Sequence, residues 1–327
     1  MKKYRWGIIG CGDVTERKSG PAYQQASNFE LHAVMRRDIE MAADYAKRHQ
    51  VPKFYNDADA LINDPEVDAV YIATPPDSHA FYAIKVAAAG KPCCIEKPMA
   101  PNYKECVTIE KAFRSKDLPL FAAYYRRSLP RFLKIKEWID KGEIGVIRHV
   151  NYIYTRTPSP QDLSGDYNWR TDKKIAYGGY FDDLASHALN LFSYFFGDIC
   201  MANGISNNQQ GLYTAMDAVV GNWMHASGAT GSGTWNFGAD SRQDKVEIFG
   251  SKGVIRFSVF NEEPILIESE EKKESIFIEN PDPIQLHHVI NIEKQLNEGI
   301  KHASSGSSAA HTSWVMDMIL HKNNKTS

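Results

Sequence analysis

The chain has 327 residues, 43% hydrophobic and 24% charged, which suits two domains with a sizeable buried core. A net charge of −2 carries no basic excess, so no nucleic acid and no anionic membrane is expected as a partner. No apolar run reaches the length of a membrane span, and the basic start Met1-Lys2-Lys3 leads into an apolar stretch that breaks at once into glycines and charges, so a cytoplasmic protein is expected. The five cysteines (Cys11, Cys93, Cys94, Cys106 and Cys200) have no zinc-like spacing and read as small hydrophobes in a reducing compartment.

In chain order, the first ~120 residues alternate strand and helix patterns, as a parallel α/β sheet does. Strands are predicted at 5–9, 31–35, 69–73, 92–95 and 120–123, and helices at 39–49, 79–89 and 103–115. Gly90 would cap the second of these helices, and Asn102 with Glu105 would form a capping box opening the third. A helix at 131–141 ends at Gly142, and from about 146 the pattern turns long and alternating. His149, Asn151, Ile153 and Thr155 fall on one face there, and Val150, Tyr152, Tyr154 and Arg156 on the other. Further strands are expected at 217–224, 229–237, 245–249 and 254–259, with a charged segment at 268–274 and a last helix at about 309–321. The expectation is α/β: a Rossmann-type doubly wound parallel sheet over 1–123, then an α+β domain with an open, mostly antiparallel sheet over 124–327. The last helix would pack back on the first domain.

Gly10-Cys11-Gly12-Asp13-Val14-Thr15 follows the first strand and precedes a helix. Glycines let a backbone turn tightly and approach a pyrophosphate, and the helix start supplies N–H donors. Thr15 stands where the fingerprint has Gly or Ala, so the loop alone is an imperfect signal. The second strand ends in Met35-Arg36-Arg37-Asp38. An acid there binds the ribose 2′-hydroxyl of NAD, and a basic side chain the 2′-phosphate of NADP. Arg36 and Arg37 therefore point to NADP(H), with NAD(H) as the second choice. Asp38 is an alternative ribose ligand, and two solvated arginines are the plain reading.

Glu96-Lys97-Pro98 ends a strand at the carboxyl edge, where ligands bind in doubly wound folds. A lysine there suits proton transfer with a substrate hydroxyl, with Glu96 orienting its ammonium; a surface ion pair is the plain alternative. Residues 180–197 read as one helix without Lys, Arg or Glu. Phe181, Leu184, Ala188, Phe192 and Phe195 form its apolar face, and Asp183, His187, Asn190 and Tyr194 a narrow polar stripe. Short hydrogen-bonding groups and an imidazole suit a wet cleft, and a carboxylate neighbour suits His187 to proton transfer near neutrality. A buried network that only specifies packing is the alternative, strongest for Asn190 and Tyr194.

Gly10-x-Gly12, Glu96-Lys97-Pro98 and Gly178-Gly179-x3-Asp183-x3-His187, in this order, resemble the Gfo/Idh/MocA oxidoreductase family. The likeness runs on through Thr74-Pro75-Pro76-x2-His79, Trp169-Arg170 and Gly250-Ser251-Lys252-Gly253. It implies that Lys97, Asp183 and His187 line a hydride-transfer site and that the substrate is a sugar, cyclitol or related polyol or keto compound, with no metal. It also implies that the open sheet forms an oligomer interface, and a homodimer is expected. Cofactor contacts are expected from Gly10, Gly12, Asp13, Val14, Arg36, Arg37, Thr74, Pro75, His79, Glu96, Lys97, Trp169 and Arg170. Substrate contacts are expected from Tyr124, Arg126, Tyr177, Asp183, His187 and Asn190. Arg126 ranks ahead of Arg127, since an extended segment cannot turn both inward. Tyr177, where the family's glycine run commonly begins, and Asn190, where an acid often stands, depart from the pattern beside the substrate. Two other readings are a trans-dihydrodiol or xylose dehydrogenase-like enzyme, and a non-catalytic NADP-binding sensor on the same fold.

Overall fold

The computed structural model describes residues 1–321; the final residues of the second expected domain, 322–327, lie outside them. The chain divides into two compact units. The first comprises Met1–Leu129 and Pro281–Ala310; the second comprises Pro130–Asn280 and, among the described residues, 311–321. The boundary expected at 123/124 thus lies six residues later, and a return segment expected in the second domain belongs to the first.

The first unit holds strands β1 (Tyr4–Ile9), β2 (Phe29–Met35), β3 (Lys53–Tyr55), β4 (Ala69–Ile72), β5 (Cys93–Ile95) and β6 (Leu120–Ala122), all parallel, in the order β3-β2-β1-β4-β5-β6. Helices α1 (Gly20–Gln25), α2 (Ile39–Arg48), α3 (Ala58–Asn63), α4 (His79–Ala88) and α5 (Tyr103–Arg114) connect them. A parallel sheet is covered on both faces, so its inner strands β4 and β5 are buried throughout. Side chains alternate across it: Trp6 and Ile8 pack with Tyr23, Phe29 and Leu31 on one face. Ile9 packs with Leu61, Val70 and Ile72 on the other. Short α3 and β3 escape a sequence reading, because six and three residues carry too little periodicity. Asp57 and Asn102 cap α3 and α5 as their types predict.

The second unit is built on α6 (Pro130–Asp140), α7 (Pro160–Ser164), α8 (Tyr180–Phe196) and an eight-stranded sheet. Its strands are β7 (Ile147–Thr155), β8 (Ile199–Asn207), β9 (Ala218–His225), β10 (Thr230–Asn236), β11 (Gln243–Gly250), β12 (Gly253–Phe257), β13 (Ile265–Ser269) and β14 (Lys273–Ile276), in the order β14-β13-β12-β11-β7-β10-β9-β8. Every pairing is antiparallel except β7 with β10. On β7, Val150, Tyr152 and Tyr154 are buried, matching the predicted alternation. Tyr152 meets Phe192 of α8 at 6.1 Å between ring centroids and Trp235 of β10 at 5.7 Å.

The return segment carries α9 (Leu286–Glu298), whose Val289 and Ile292 complete the core around Trp6. The last helix, α10 (Gly306–Ile319), starts three residues earlier than predicted; its first residues count with the first unit and the rest with the second. Among the described residues, no helix is long and apolar enough to cross a membrane.

Candidate active site

Because β1, β2, β4, β5 and β6 run parallel, the segments that follow them share one carboxyl edge. Gly10 donates its amide to Met35 O at 2.9 Å, which draws the end of β1 onto β2. Gly10 has φ +90°, and a Cβ there would lie 2.7 Å from Thr74 Cγ2 and 2.9 Å from Thr74 N. The position therefore demands glycine on both counts. At Gly12 the nearest atom to an added Cβ is 3.9 Å away, so the room above the loop is open. The helix after the loop starts as a wide turn, Thr15–Ser19, in which Gly20 N donates to Thr15 O.

A cleft of about 440 Å³ lies over this edge, lined by Gly10, Cys11, Gly12, Arg36, Arg37, Asp38, Thr74, Pro75, Asp77 and Ser78, with Met35, Met41, Ala73 and Tyr82 as its apolar wall. Arg36 reaches back over the loop, its guanidinium 3.4 Å from Cys11 O. Arg37 is exposed. Asp38, weighed above as a ribose ligand, caps α2: its Oδ1 accepts from the amides of Glu40 and Met41 at 3.0 and 3.2 Å. Glycines at a strand end, two guanidiniums and an apolar wall fit a dinucleotide. Asp13 is exposed and Val14 half-buried beside this loop. Burial raises the Cys11 thiol to about 11, so it stays protonated.

His79 corrects an expectation. It is fully buried; Nε2 meets Thr74 O at 2.7 Å, and Nδ1 meets Pro98 O and Met99 O at 3.1 and 3.3 Å. It ties the loop after β4 to the Glu-Lys-Pro segment, so it supports the cleft from behind instead of touching a ligand.

Glu96 is also buried, and its role differs from that expected. Oε1 accepts from Tyr71 Oη at 2.6 Å and Gln285 Nε2 at 2.9 Å; Oε2 accepts from the Lys97 amide at 2.9 Å. The carboxylate thus grips the backbone of Lys97, where an orienting contact to the ammonium was expected. The Lys97–Pro98 peptide is cis. Tyr124 is buried. The segment after it is a tight helical turn, Tyr125–Ser128, and not extended chain. Both arginines are consequently buried: the Arg126 guanidinium lies over the Tyr125 ring at 4.9 Å, and Arg127 donates to Ala303 O at 2.8 Å.

In the second unit, α8 is buried almost all round, which explains its lack of long charged side chains. Asp183 stays partly exposed, and its Oδ2 accepts from Arg170 Nε at 2.8 Å. Arg170 in turn lies over the Trp169 ring at 4.3 Å. The motif residues Trp169-Arg170 and Asp183, distant in sequence, form one polar group here. His187 is buried with its ring edge-on to Phe260 at 5.8 Å. Asn190 is buried and donates to Thr312 Oγ1 at 2.9 Å, which favours the packing role over substrate contact. Tyr177 is half-buried; its carbonyl accepts from Met216 N at 3.1 Å.

The glycine pair has a local reason. Gly179 has φ +63°, and a Cβ there would sit 2.5 Å from Met216 O. Asp182, passed over in the sequence, bonds the Gly178 amide at 2.9 Å and holds the turn that opens α8. Another network went unseen because its members lie far apart in sequence: Asp162 accepts from Tyr180 Oη at 2.5 Å and Arg156 at 3.2 Å, and Asn168 donates to Tyr180 Oη at 3.0 Å. Burial, then the Asp162 carboxylate, raises the Tyr180 phenol. Among the described residues, His32, Asp64 and Glu66 bring ligand-type atoms within 4.8 Å of one another, but the Lys53 ammonium bonds both carboxylates.

A six-stranded parallel sheet with strand order 3-2-1-4-5-6, a glycine turn after its first strand and a cleft at its carboxyl edge defines a Rossmann-type dinucleotide-binding fold. The chain belongs to the Gfo/Idh/MocA oxidoreductase family: residues 4–124 match its NAD-binding Rossmann domain and residues 132–256 its C-terminal domain. It is 36% identical to Oxidoreductase P35 of Formosa agariphila over 97% of this chain and 98% of that one. It is 30% identical to the levoglucosan dehydrogenase of Pseudarthrobacter phenanthrenivorans over 79% of this chain and 74% of that one. Against the myo-inositol 2-dehydrogenase of Thermotoga maritima the identity is 29%, over 82% and 79% of the two chains. A solved levoglucosan dehydrogenase in complex with NADH and levoglucosan shares the fold, with a TM-score of 0.85 at 22% identity over 99% of this chain and 98% of that one. The protein is thus an NAD(P)-dependent dehydrogenase or reductase.

Proposed function

We propose that this enzyme uses NADP(H) in preference to NAD(H) and interconverts a hydroxyl and a carbonyl on a sugar, cyclitol or related polyol. The observation that carries the cofactor reading is the pair Arg36-Arg37 in the cleft over the Gly10–Gly12 turn, beside an Asp38 already engaged as a helix cap. Guanidiniums suit a 2′-phosphate, and one oxygen of the acid that would select a free 2′-hydroxyl is held by the helix cap. The substrate class rests on the relatives that act on levoglucosan and myo-inositol.

Gly10, Gly12, Arg36, Arg37, Thr74 and Pro75 would hold the cofactor. Its nicotinamide, when bound, accepts or supplies a hydride. Lys97 Nζ takes the proton from the substrate hydroxyl or returns it to the carbonyl oxygen, and the His187 imidazole is the second group suited to that transfer. Asp183, steadied by Arg170, accepts a hydrogen bond from a substrate hydroxyl. Tyr124, Arg126 and Tyr177 remain substrate-side candidates.

The same reading makes the protein a cytoplasmic homodimer whose ligands are small polar molecules. Support for the dimer comes from the outward face of the eight-stranded sheet, where Ile205 on β8 and Val220 on β9 are direct cross-strand partners, 76% and 50% exposed. Its buried thiols suit a reducing compartment.

The test follows nicotinamide absorbance with NADP⁺ and NAD⁺ over levoglucosan, myo-inositol and a panel of sugars, with Lys97→Met in parallel. Turnover with NADP⁺ above NAD⁺, lost in Lys97→Met, is expected. Tight NADP(H) binding without turnover of any polyol would overturn the enzymatic assignment of substrate, and unchanged turnover in Lys97→Met would remove Lys97 from the chemistry.

A further inference from the structure

We infer that Gln285, together with Tyr71, is a positioning residue for Lys97, acting through Glu96; the inference rests on the proposed role of Lys97. Glu96 sits 7% exposed at the end of β5, and Gln285 is 1% exposed. The Glu96 carboxylate has three donors: the Tyr71 hydroxyl at 2.6 Å, the Gln285 amide at 2.9 Å and the Lys97 N–H at 2.9 Å. All three are neutral groups. A buried carboxylate held by neutral donors needs each of them, since a lost donor leaves charge unsolvated.

The arrangement has a direction. Tyr71 lies on β4 and is fully buried, so it fixes one oxygen from inside the sheet. Gln285 comes from the return segment, 189 residues on in sequence, and fixes the same oxygen. The second oxygen is thereby aimed along the chain at the amide of Lys97. Fixing that amide fixes the start of the lysine side chain, just past the end of the short strand β5. The return segment therefore completes the strand end that carries the proton-transfer group, and the first ~130 residues alone would lack one of its three supports.

The test compares Gln285→Leu, Gln285→Glu and Tyr71→Phe in the full-length protein, with Lys97→Met as the control. In cofactor-free protein, amide hydrogen exchange in the peptide spanning residues 96–97 is expected to rise about tenfold in Gln285→Leu, with peptides from α2 and α5 unchanged. With the polyol found to turn over, kcat is expected to fall about tenfold while KM for NADP⁺ stays within about twofold. Gln285→Glu supplies the discriminating signature. Once protonated, the carboxyl introduced by that substitution donates to Glu96 as the amide did. The activity of the variant relative to the parent should therefore climb as the pH falls from 8 to 6. A purely structural role predicts no such recovery. Unchanged exchange at 96–97 in both Gln285→Leu and Tyr71→Phe, or a flat pH ratio in Gln285→Glu, overturns the inference. If Gln285→Leu fails to fold, the exchange of Tyr71→Phe and the pH ratio decide. Lys97→Met separates the two readings: if it keeps turnover, the role of Lys97 is lost. If it loses turnover while the Gln285 variants match the parent, only the positioning role is lost.

Discussion

Arg170 Nε stands 2.8 Å from Asp183 Oδ2, joining the Trp169–Thr171 turn to the first turns of α8. The arginine is 39% exposed at its side chain and the aspartate 12%, so the pair is only half withdrawn from water. Such a pair contributes little to stability, under about 1 kcal/mol. Its value is geometric: it fixes the direction of the Asp183 carboxylate. Asp183→Asn should therefore lower kcat/KM by about tenfold or more while the unfolding midpoint barely moves. Steady-state kinetics beside a thermal melt checks this; a large drop in the midpoint with unchanged kinetics would contradict it.

Two glycines of the same loop should behave differently. Gly10→Ala meets a left-handed backbone, worth about 1–2 kcal/mol of strain, and a clash with Thr74 backbone at 2.9 Å. It should lower the melting temperature and abolish cofactor binding together. Gly12→Ala has free space, its nearest neighbour 3.9 Å away, so the fold should survive while the added methyl occupies the cofactor's room. A fluorescence titration with NADPH, read beside a melt, distinguishes the two.

Removing the guanidiniums should expose cofactor choice. Arg36→Ala with Arg37→Ala should weaken NADP⁺ by about tenfold or more and NAD⁺ by much less, because only the former brings a 2′-phosphate. Equal weakening of both cofactors, measured as Kd by calorimetry, would remove these residues from 2′-phosphate recognition.

The first unit carries its own acid sensitivity. His302 is buried against His288, with ring centroids 4.7 Å apart. Its Nδ1 accepts from the Ser304 amide at 2.7 Å, so Nε2 carries the proton toward His288 O at 3.2 Å. Burial, followed by the nearby Arg127 charge, pushes its pKa down to about 4; burial and His302 push that of His288 well below its ordinary value. Cys94 faces His288 Nε2 at 3.7 Å and, with its own pKa raised by burial, supplies no compensating charge. Unfolded histidine titrates near 6.5, so below that pH the unfolded chain binds protons that the folded one refuses. Stability is therefore full above about pH 6.5 and declines as pH falls toward 4, by about 3 kcal/mol from His302. Melts from pH 7 to 4 should show this slope, flattened in His302→Gln; an identical slope in that variant would contradict it.

Local signals in the sequence carried the first unit a long way. The alternation of apolar strands with amphipathic helices, the Gly10–Gly12 turn and the cap at Asn102 are short-range rules, and the fold obeys them. The period of two along β7 and the absence of long charges on α8 were equally local. The family motifs marked Lys97, Asp183 and His187 without reference to any contact. Sequence order left undecided which distant groups meet. Gln285 completes Glu96, Arg170 meets Asp183, His79 sits among the carbonyls of Thr74, Pro98 and Met99, and Pro281–Ala310 returns to the first unit. A side chain's hydrogen-bond partner is set by which strands lie adjacent and by what the core excludes, neither of which has a period along the chain. Residue order was therefore enough for the elements and for the chemistry available at their ends. Packing in three dimensions chose which of those groups line the cleft and which are buried behind them, because burial obliges each polar atom to find a partner.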